Sequence, residues 1–202
     1  MDAEKKWICV FCASAAGASP AYLQAAMDLG RRIAERGYDL LYGGATVGAM
    51  GAVADAALAF GGEVVGVIPD VIREREIDHK ALTELHIVRT MHERKAMLSS
   101  RADAFLALPG GYGTMDEFIE IVTWAQLRIH AKPCVLVNVG GFWDGLLRFV
   151  DHAVREGFIV PENRALVQVA GDPEGALRVV ERTWRERAEI PAHDARLDEV
   201  IR

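Results

Sequence analysis

Short apolar runs rich in β-branched residues alternate with longer amphipathic runs along almost the whole chain of 202 residues. The short runs predict strands at Ile8–Cys12, Asp39–Tyr42, Val64–Ile68, His86–Val88, Ala104–Leu108, Cys134–Asn138 and Leu166–Val169. The longer runs predict helices at Ala21–Arg36, Ala49–Phe60, Glu93–Arg101, Thr114–Ile129, Trp143–Glu156 and Pro173–Arg187. Strands that are apolar along their whole length are typical of a parallel sheet with both faces covered. The pattern therefore predicts an α/β fold, a Rossmann-like doubly wound parallel sheet flanked by helices on both faces.

The length suits one well-buried core and is short for two domains. Residues 1–188 are expected to form a single Rossmann-like nucleotide-binding domain. The charged C-terminal tail, residues 189–202, is expected to be a short helix or a disordered segment. Gly37 and Gly61 follow the first two predicted helices, as residues that end helices commonly do. Pro173 fits the first turn of the last predicted helix.

Charge and composition limit the class of partner. A net charge of −6 argues against broad binding of nucleic acid, which needs a basic face, but not against one small anion. No apolar run approaches the roughly 20 residues that span a bilayer, so no membrane partner is expected. The N-terminus lacks the apolar segment of a signal peptide. We therefore expect a cytoplasmic globular protein.

The cysteines and histidines are expected to bind no metal. Cys9, Cys12 and Cys134 all lie in apolar strand-like runs, which favours buried, reduced thiols over a disulfide or a metal site. Cys9 and Cys12 form a C-x-x-C pair, but within a strand rather than a redox turn. The six histidines show no paired ligand spacing.

Three loops are expected at the carboxyl edge of the sheet, where ligands of such folds bind. They are Ala13–Pro20, Gly43–Gly51 and Pro109–Thr114. None contains G-x-G-x-x-G or a P-loop motif, and a nucleoside monophosphate suits loops this short. Gly43 and Gly44 open the second loop, which is either a tight crossover from strand to helix or a place of close approach to a ligand.

The third loop, Pro-Gly-Gly-Tyr-Gly-Thr from Pro109 to Thr114, predicts a phosphate-binding turn before a helix. Its glycines allow a tight turn and close approach of the backbone to a ligand. Thr114 is expected to cap the helix, with Glu117 as its capping-box partner. Backbone N–H groups at a helix start favour an anion such as phosphate, whereas carboxylates there repel one. We therefore expect the acids to serve another purpose, such as chemistry on a sugar.

Charged side chains near these loops supply the candidate chemistry. Arg94 and Lys95 begin a helix, where such a pair is either a solvated face or a site for an anion; Arg94 suits bidentate contact with phosphate. Glu117 and Glu120 lie three residues apart on one helix face. Exposed acids are common in a first turn, but negative charge also stabilises the oxocarbenium-like state of glycosidic cleavage. Glu117 is the leading candidate and Glu120 the second, whereas the sequence alone would not select Glu76.

The stretches Met91-His92-Glu93-Arg94-Lys95 and Pro109-Gly110-Gly111-Tyr112-Gly113-Thr114 with Glu117 resemble the two hallmark motifs of the Lonely guy (LOG) family. These are cytokinin riboside 5′-monophosphate phosphoribohydrolases, often mislabelled lysine decarboxylases. The resemblance extends from about Ile8 to about Val180. Two departures lie near the ligand edge: Ala13 stands where the family often has Gly, and Ala45-Thr46 where Gly-Ser is usual.

The resemblance implies hydrolysis of the N-glycosidic bond of N6-modified adenosine 5′-monophosphates, giving free base and ribose 5-phosphate without a cofactor or a metal. Carried over to this sequence, Arg94 and Glu117 are the expected catalytic pair. The expected substrate contacts are Glu76, Lys95, Gly111, Tyr112, Gly113, Thr114, Met115, Asp116 and Thr123. The loops and the helix face considered above add Gly43, Gly44, Gly110 and Glu120.

Two rival functions remain open: a general hydrolase of AMP and other nucleoside monophosphates, and a non-catalytic carrier of a nucleotide or cofactor. A homodimer is implied by the resemblance. It is also favoured by the predicted helix Thr114–Ile129, which is apolar almost all round, although the helix Glu93–Arg101 of the same chain could instead cover the surplus.

Overall fold

A computed structural model describes residues 5–72 and 79–188. Its strands are β1 (Trp7–Phe11), β2 (Asp39–Tyr42), β3 (Val64–Pro69), β4 (Glu84–Val88), β5 (Ala104–Ala107), β6 (Cys134–Val137) and β7 (Val167–Ala170). All neighbouring pairs are parallel, in the order β4-β3-β2-β1-β5-β6-β7. The predicted α/β fold with a parallel sheet is confirmed.

Helices connect the strands and end where local backbone geometry stops them. They are α1 (Pro20–Glu35), α2 (Gly48–Ala59), α3 (Met91–Arg101), α4 (Tyr112–Gln126), α5 (Asp144–Arg155), α6 (Pro161–Arg164) and α7 (Pro173–Ala188), with a 3₁₀ turn at Val139–Gly141. Gly37 and Gly61 adopt φ of 72° and 80° after α1 and α2, as predicted. The predicted end of α4 at Ile129 is wrong, because Arg128 adopts φ of 60° and breaks the helix before that residue.

Two hydrophobic cores cover the two faces of the sheet. Helices α1, α2 and α7 pack over one face, where Leu29, Val53 and Leu177 are fully buried. Helices α3, α4 and α5 pack over the other face, around side chains such as Phe118 and Leu98. The apolar strands and their cover on both faces thus agree with the sequence pattern.

The three cysteines are buried free thiols, as predicted. Cys9 belongs to one core and Cys12 to the other, so the strand directs the two side chains to opposite faces of the sheet. Burial raises the pKa of the Cys9 and Cys12 thiols and raises that of Cys134 to about 12. The two cysteines of the C-x-x-C pair therefore lie in separate cores and do not face each other.

The order in which strands are added to the sheet reverses at β1, which lies between β2 and β5. From β1 the chain builds outward through β2, β3 and β4, and α3 then returns it to β5 on the other side of β1. Such a reversal leaves a crevice beyond the carboxyl ends of the two central strands. The starts of α3 and α4 lie at that same edge of the sheet.

Several expectations concern residues outside the described ranges. Residues 189–202 and Glu76 fall there, so the nature of the tail and the role of Glu76 stay predictions. In the part that is described, no helix combines the length and the apolar character needed to cross a membrane.

Close packing of α1 on α2 gives a test of the fold. A Cβ atom on Gly30 of α1 would lie 2.1 Å from the Val53 carbonyl oxygen of α2. Because backbone cannot move aside as a side chain can, Gly30→Ala should lower the free energy of unfolding by about 1–3 kcal/mol in urea denaturation. In Gly145→Ala the new methyl group on α5 meets only open space near Arg148, so stability should be unchanged or rise by up to about 1 kcal/mol. Equal effects of the two changes would contradict this account of the packing.

Candidate active site

A cleft of about 430 Å³ opens at the reversal point, beyond the carboxyl ends of β1 and β5. Its walls come from five parts of the chain: the loop after β1 (Cys12, Ala13, Ser14 and Ala15), Met50 on α2, Ile72 after β3, the start of α3 (Met91 and Arg94), and the start of α4 (Gly111, Gly113, Thr114, Asp116 and Glu117). All three loops expected at the ligand edge therefore contribute to its surface, the second through Met50.

A buried ion pair joins the two helices at the cleft. The Arg94 Nη2 atom lies 3.0 Å from Glu117 Oε1, and the two residues are only 3% and 6% exposed. Desolvating a charge is expensive, and the contact between the two groups offsets part of that cost for each of them. Because both residues also line the cleft, a ligand there meets a guanidinium and a carboxylate that are already fixed in place.

Gly43 provides the space that Arg94 occupies. A Cβ atom at Gly43 would lie 2.5 Å from Arg94 Nη2 and 3.2 Å from Met50 Sδ. Gly44 adopts φ of 83°, a conformation that favours glycine, and its carbonyl accepts a hydrogen bond from the His79 amide at 3.0 Å. Neither glycine is among the described residues that line the cleft. Gly43 therefore shapes the cleft wall from behind Arg94 and Met50, whereas a Cβ atom on Gly44 would lie near Leu85 and Ile68.

The loop before α4 differs from the sequence-based expectation. Helix α4 begins at Tyr112 with Gly111 as its N-cap residue, and no described side chain caps it. The predicted capping box of Thr114 and Glu117 is therefore wrong. Thr114 lies inside the first turn, 3% exposed, and a Cβ atom at Gly110 would meet its Oγ1 atom at 2.1 Å. A helix start without a side-chain cap leaves its first N–H groups for an anionic ligand.

Gly111 and Gly113 face open space. A Cβ atom at either residue would have no heavy atom of the described residues within 4 Å. Both glycines line the cleft, so the backbone at the start of α4 is accessible to a ligand from that side.

Lys95 forms a second connection between α3 and α4. Its Nζ atom lies 2.8 Å from Asp116 Oδ2 and 3.3 Å from Glu120 Oε2, and its side chain is 14% exposed. Burial opposes the charge, but hydrogen bonds to Asp116 and Glu120 prevail and raise the pKa of Lys95. Lys95 and Glu120, both expected to contact substrate, thus contact each other, and among the described residues neither lines the cleft.

Three further residues expected to contact substrate lie apart from the cleft surface. The Tyr112 side chain is 89% exposed, and Met115 packs partly buried against the core between α4 and the sheet. Thr123 is exposed, and its hydroxyl donates a hydrogen bond to the Ile119 carbonyl at 2.8 Å. Of the expected contacts on α4, those brought together at the cleft are Gly111, Gly113, Thr114 and Asp116, beside Glu117.

Sequence reasoning missed the apolar part of the cleft wall. Cys12, Met50, Ile72 and Met91 line it, yet apolar side chains carry no chemical signature that separates them from core residues. One signal was available for Met91, which lies three residues before Arg94 and so on the same side of α3. Within residues 5–72 and 79–188, no three or more His, Cys, Asp or Glu residues lie close enough together to hold a metal ion.

Comparisons with known proteins relate this arrangement to one family. Residues 50–180 match the family model described as possible lysine decarboxylase. The cytokinin riboside 5′-monophosphate phosphoribohydrolase LOG7 of Arabidopsis thaliana is 51% identical over 80% of this chain and 75% of its own. A second relative, the probable cytokinin riboside 5′-monophosphate phosphoribohydrolase LOGL5 of Oryza sativa subsp. japonica, is 50% identical over 81% of this chain. The match spans 66% of that relative's length.

A similarity in structure supports the fold. The molybdenum cofactor carrier protein of Chlamydomonas reinhardtii aligns with a TM-score of 0.67 over 90% of this chain and 99% of its own, at 23% identity. At that identity the likeness concerns the fold alone, whereas the sequence matches above extend through both α3 and α4. The chain belongs to the LOG family.

Proposed function

We propose that this protein hydrolyses the N-glycosidic bond of N6-modified adenosine 5′-monophosphates, the cytokinin riboside 5′-monophosphates, to free base and ribose 5-phosphate. The observation that carries the proposal is the buried pair of Arg94 and Glu117 beside the uncapped start of α4. The names of relatives that are about half identical supply the substrate class.

The 5′-phosphate is proposed to bind at the start of α4. The backbone N–H groups of Gly111, Gly113 and Thr114 are the donors, and the positive end of the helix dipole favours the anion. Gly111 and Gly113 leave room for the phosphate because they have no side chains. Binding energy from the phosphate then fixes the ribose in the cleft next to Glu117.

Glu117 is proposed to stabilise the transition state. As the bond from the anomeric carbon to the base nitrogen breaks, positive charge develops on the ribose, and a carboxylate held nearby stabilises that charge. Glu117 also accepts hydrogen bonds from the ribose hydroxyls or orients the attacking water. Arg94 holds this carboxylate in place from 3.0 Å and offers a guanidinium to the phosphate or to the departing base.

Water is the only co-substrate that this reaction needs. It supplies the hydroxyl group on the anomeric carbon and the proton that the departing base acquires. The protein is proposed to act in the cytoplasm, since its three free thiols suit a reducing compartment.

The substrate preference tests the proposal. Purified protein is incubated with N6-isopentenyl-AMP, with AMP and with the isopentenyl riboside that lacks the phosphate, and release of free base and sugar is measured by chromatography. We expect the isopentenyl monophosphate to have the highest kcat/KM and the riboside to be cleaved poorly, because the phosphate site is then empty. Faster turnover of AMP would indicate a general nucleotide hydrolase. Binding of all three compounds without release of ribose 5-phosphate would indicate a carrier.

Glu117→Gln tests the catalytic carboxylate. The change keeps the size of the side chain and removes its charge, so kcat should fall about 10²–10³-fold. The exposed Glu156→Gln, at the far end of α5, is the control and should keep normal turnover. Because Arg94 loses a charged partner, circular dichroism and thermal melting must show that Glu117→Gln is folded. Normal turnover by a folded Glu117→Gln protein would remove Glu117 from the mechanism.

The protein is also proposed to be a homodimer through the outer face of α4. Phe118, Ile121 and Ala125 face the sheet and are buried, but Ile119 and Leu127 are 40% and 61% exposed. Helix α3 meets α4 on the side of Asp116 and Glu120, so it leaves the exposed stripe uncovered. Thr123 lies on the same stripe, and a dimer would place it at the interface. An isologous two-fold contact is the commonest closed arrangement.

Light scattering at micromolar concentration checks the dimer. We expect about twice the 22.1 kDa mass of one chain. Ile119→Glu should give a monomer, because it places a charge in the apolar contact. Phe60→Glu changes an apolar residue that is 52% exposed and directly follows α2, on the opposite face of the sheet, and should leave the mass of a dimer. A wild-type mass of one chain that persists on concentrating would contradict the proposal.

A further inference from the structure

Two neighbouring cations on α3 pair with two neighbouring acids on α4. Arg94 contacts Glu117 at 3.0 Å, and Lys95 contacts Asp116 at 2.8 Å. Lys95 also reaches Glu120, one turn further along α4, at 3.3 Å. The acids at the start of α4 are therefore each matched by a cation from the other helix.

Asp116 is the carboxylate that most directly opposes an anion here. It lies in the first turns of α4, lines the cleft, and has a side chain that is 59% exposed. Its charge stands beside the N–H groups to which the phosphate was assigned above. A carboxylate and a phosphate dianion repel each other over such short distances, so an uncompensated Asp116 would weaken binding of the phosphate.

Lys95 is poorly placed to bind the phosphate itself. Its side chain is 14% exposed and is absent from the described lining of the cleft, and its ammonium is held between two carboxylates. Two carboxylates already lie within 3.3 Å of this ammonium, and their negative charges oppose an anion beside it. The arrangement favours an effect through Asp116 over direct contact.

We propose that Lys95 is a positioning residue that acts through Asp116. It fixes the Asp116 carboxylate against α3 and cancels its charge, so that the start of α4 presents a net positive field to a phosphate dianion. This inference rests on the proposed function, because it assumes that a phosphate binds at this helix start. It replaces the substrate contact that the family resemblance implies for Lys95.

The two roles of Lys95 predict different responses to a second change. If Lys95 contacts the phosphate, removing its charge weakens binding whatever residue 116 carries. If Lys95 only compensates Asp116, removing both charges together restores binding. Glu120 provides the matched control, since it contacts the same ammonium but lies one turn further from the start of α4.

The experiment measures binding of inorganic phosphate to the full chain by isothermal titration calorimetry. Lys95→Met should weaken binding about tenfold, the effect expected of one uncompensated charge at close range. Lys95→Met with Asp116→Asn should return to within about twofold of wild type. Lys95→Met with Glu120→Gln should stay close to the weakened value of Lys95→Met alone.

Three results would overturn the inference: a double variant with Asp116→Asn as weak as Lys95→Met, a Lys95→Met protein that binds like wild type, and a wild-type chain that binds no phosphate. If circular dichroism shows that Lys95→Met does not fold, the single variant Asp116→Asn tests the inference instead. It should bind phosphate more tightly than wild type, and weaker binding would overturn the inference. Calorimetry needs no turnover. Rescue by Asp116→Asn without release of ribose 5-phosphate would therefore leave the inference standing and refute the proposed function.

Discussion

The buried ion pair of Arg94 and Glu117 is the interaction on which the site depends. Both side chains are almost fully removed from solvent, so each charge needs groups of opposite charge nearby, and this contact supplies one to each of them. The pair can form only if two conditions are met. Helices α3 and α4 must start at the same edge of the sheet, and residue 43 must lack a side chain so that the guanidinium fits. The reversal of strand order at β1 satisfies the first condition, because it brings the helices before and after β5 to one crevice.

The acids at the start of α4 are balanced by cations from α3. On its own, α4 would present Asp116, Glu117 and Glu120 close to its N-terminus, where a helix dipole stabilises negative charge but where a phosphate would be repelled. Helix α3 supplies Arg94 and Lys95 to these acids. The field at the cleft thus depends on two helices that are consecutive in the chain and separated only by β5.

Much of the fold was predictable because it depends on pattern. Every predicted strand and helix is present, since runs such as Val64–Ile68 can be buried only inside a covered sheet. The sequence missed α6, whose four residues are too few to show a helical period. It also placed the start of α4 at Thr114, because a hydroxyl residue is the usual cap, whereas here the glycine turn itself begins the helix at Tyr112.

The site was predictable to a lesser degree. Motifs placed Arg94 and Glu117 near each other, but side-chain direction on α3 decides which neighbour faces the cleft, and no spacing shows that Lys95 turns to Asp116 instead. The apolar wall formed by Met50 and Met91 depends on how α2 and α3 pack against the sheet, and this packing could not be predicted from the spacing of residues in one sequence.

The position of β1 in the middle of the sheet has a consequence for how the chain acquires its shape. Ile8 pairs with Leu40 on one side, close in sequence, but with Ala104 on the other, half the chain later. During synthesis that edge of β1 stays unpaired until residues 104–107 have been made, and unpaired apolar edges are prone to associate with other chains. Non-local pairing of this kind is slow. Because the cleft lies beyond the carboxyl ends of β1 and β5, it is complete only after these two strands have paired, so an open strand edge and an incomplete cleft persist together in a nascent chain.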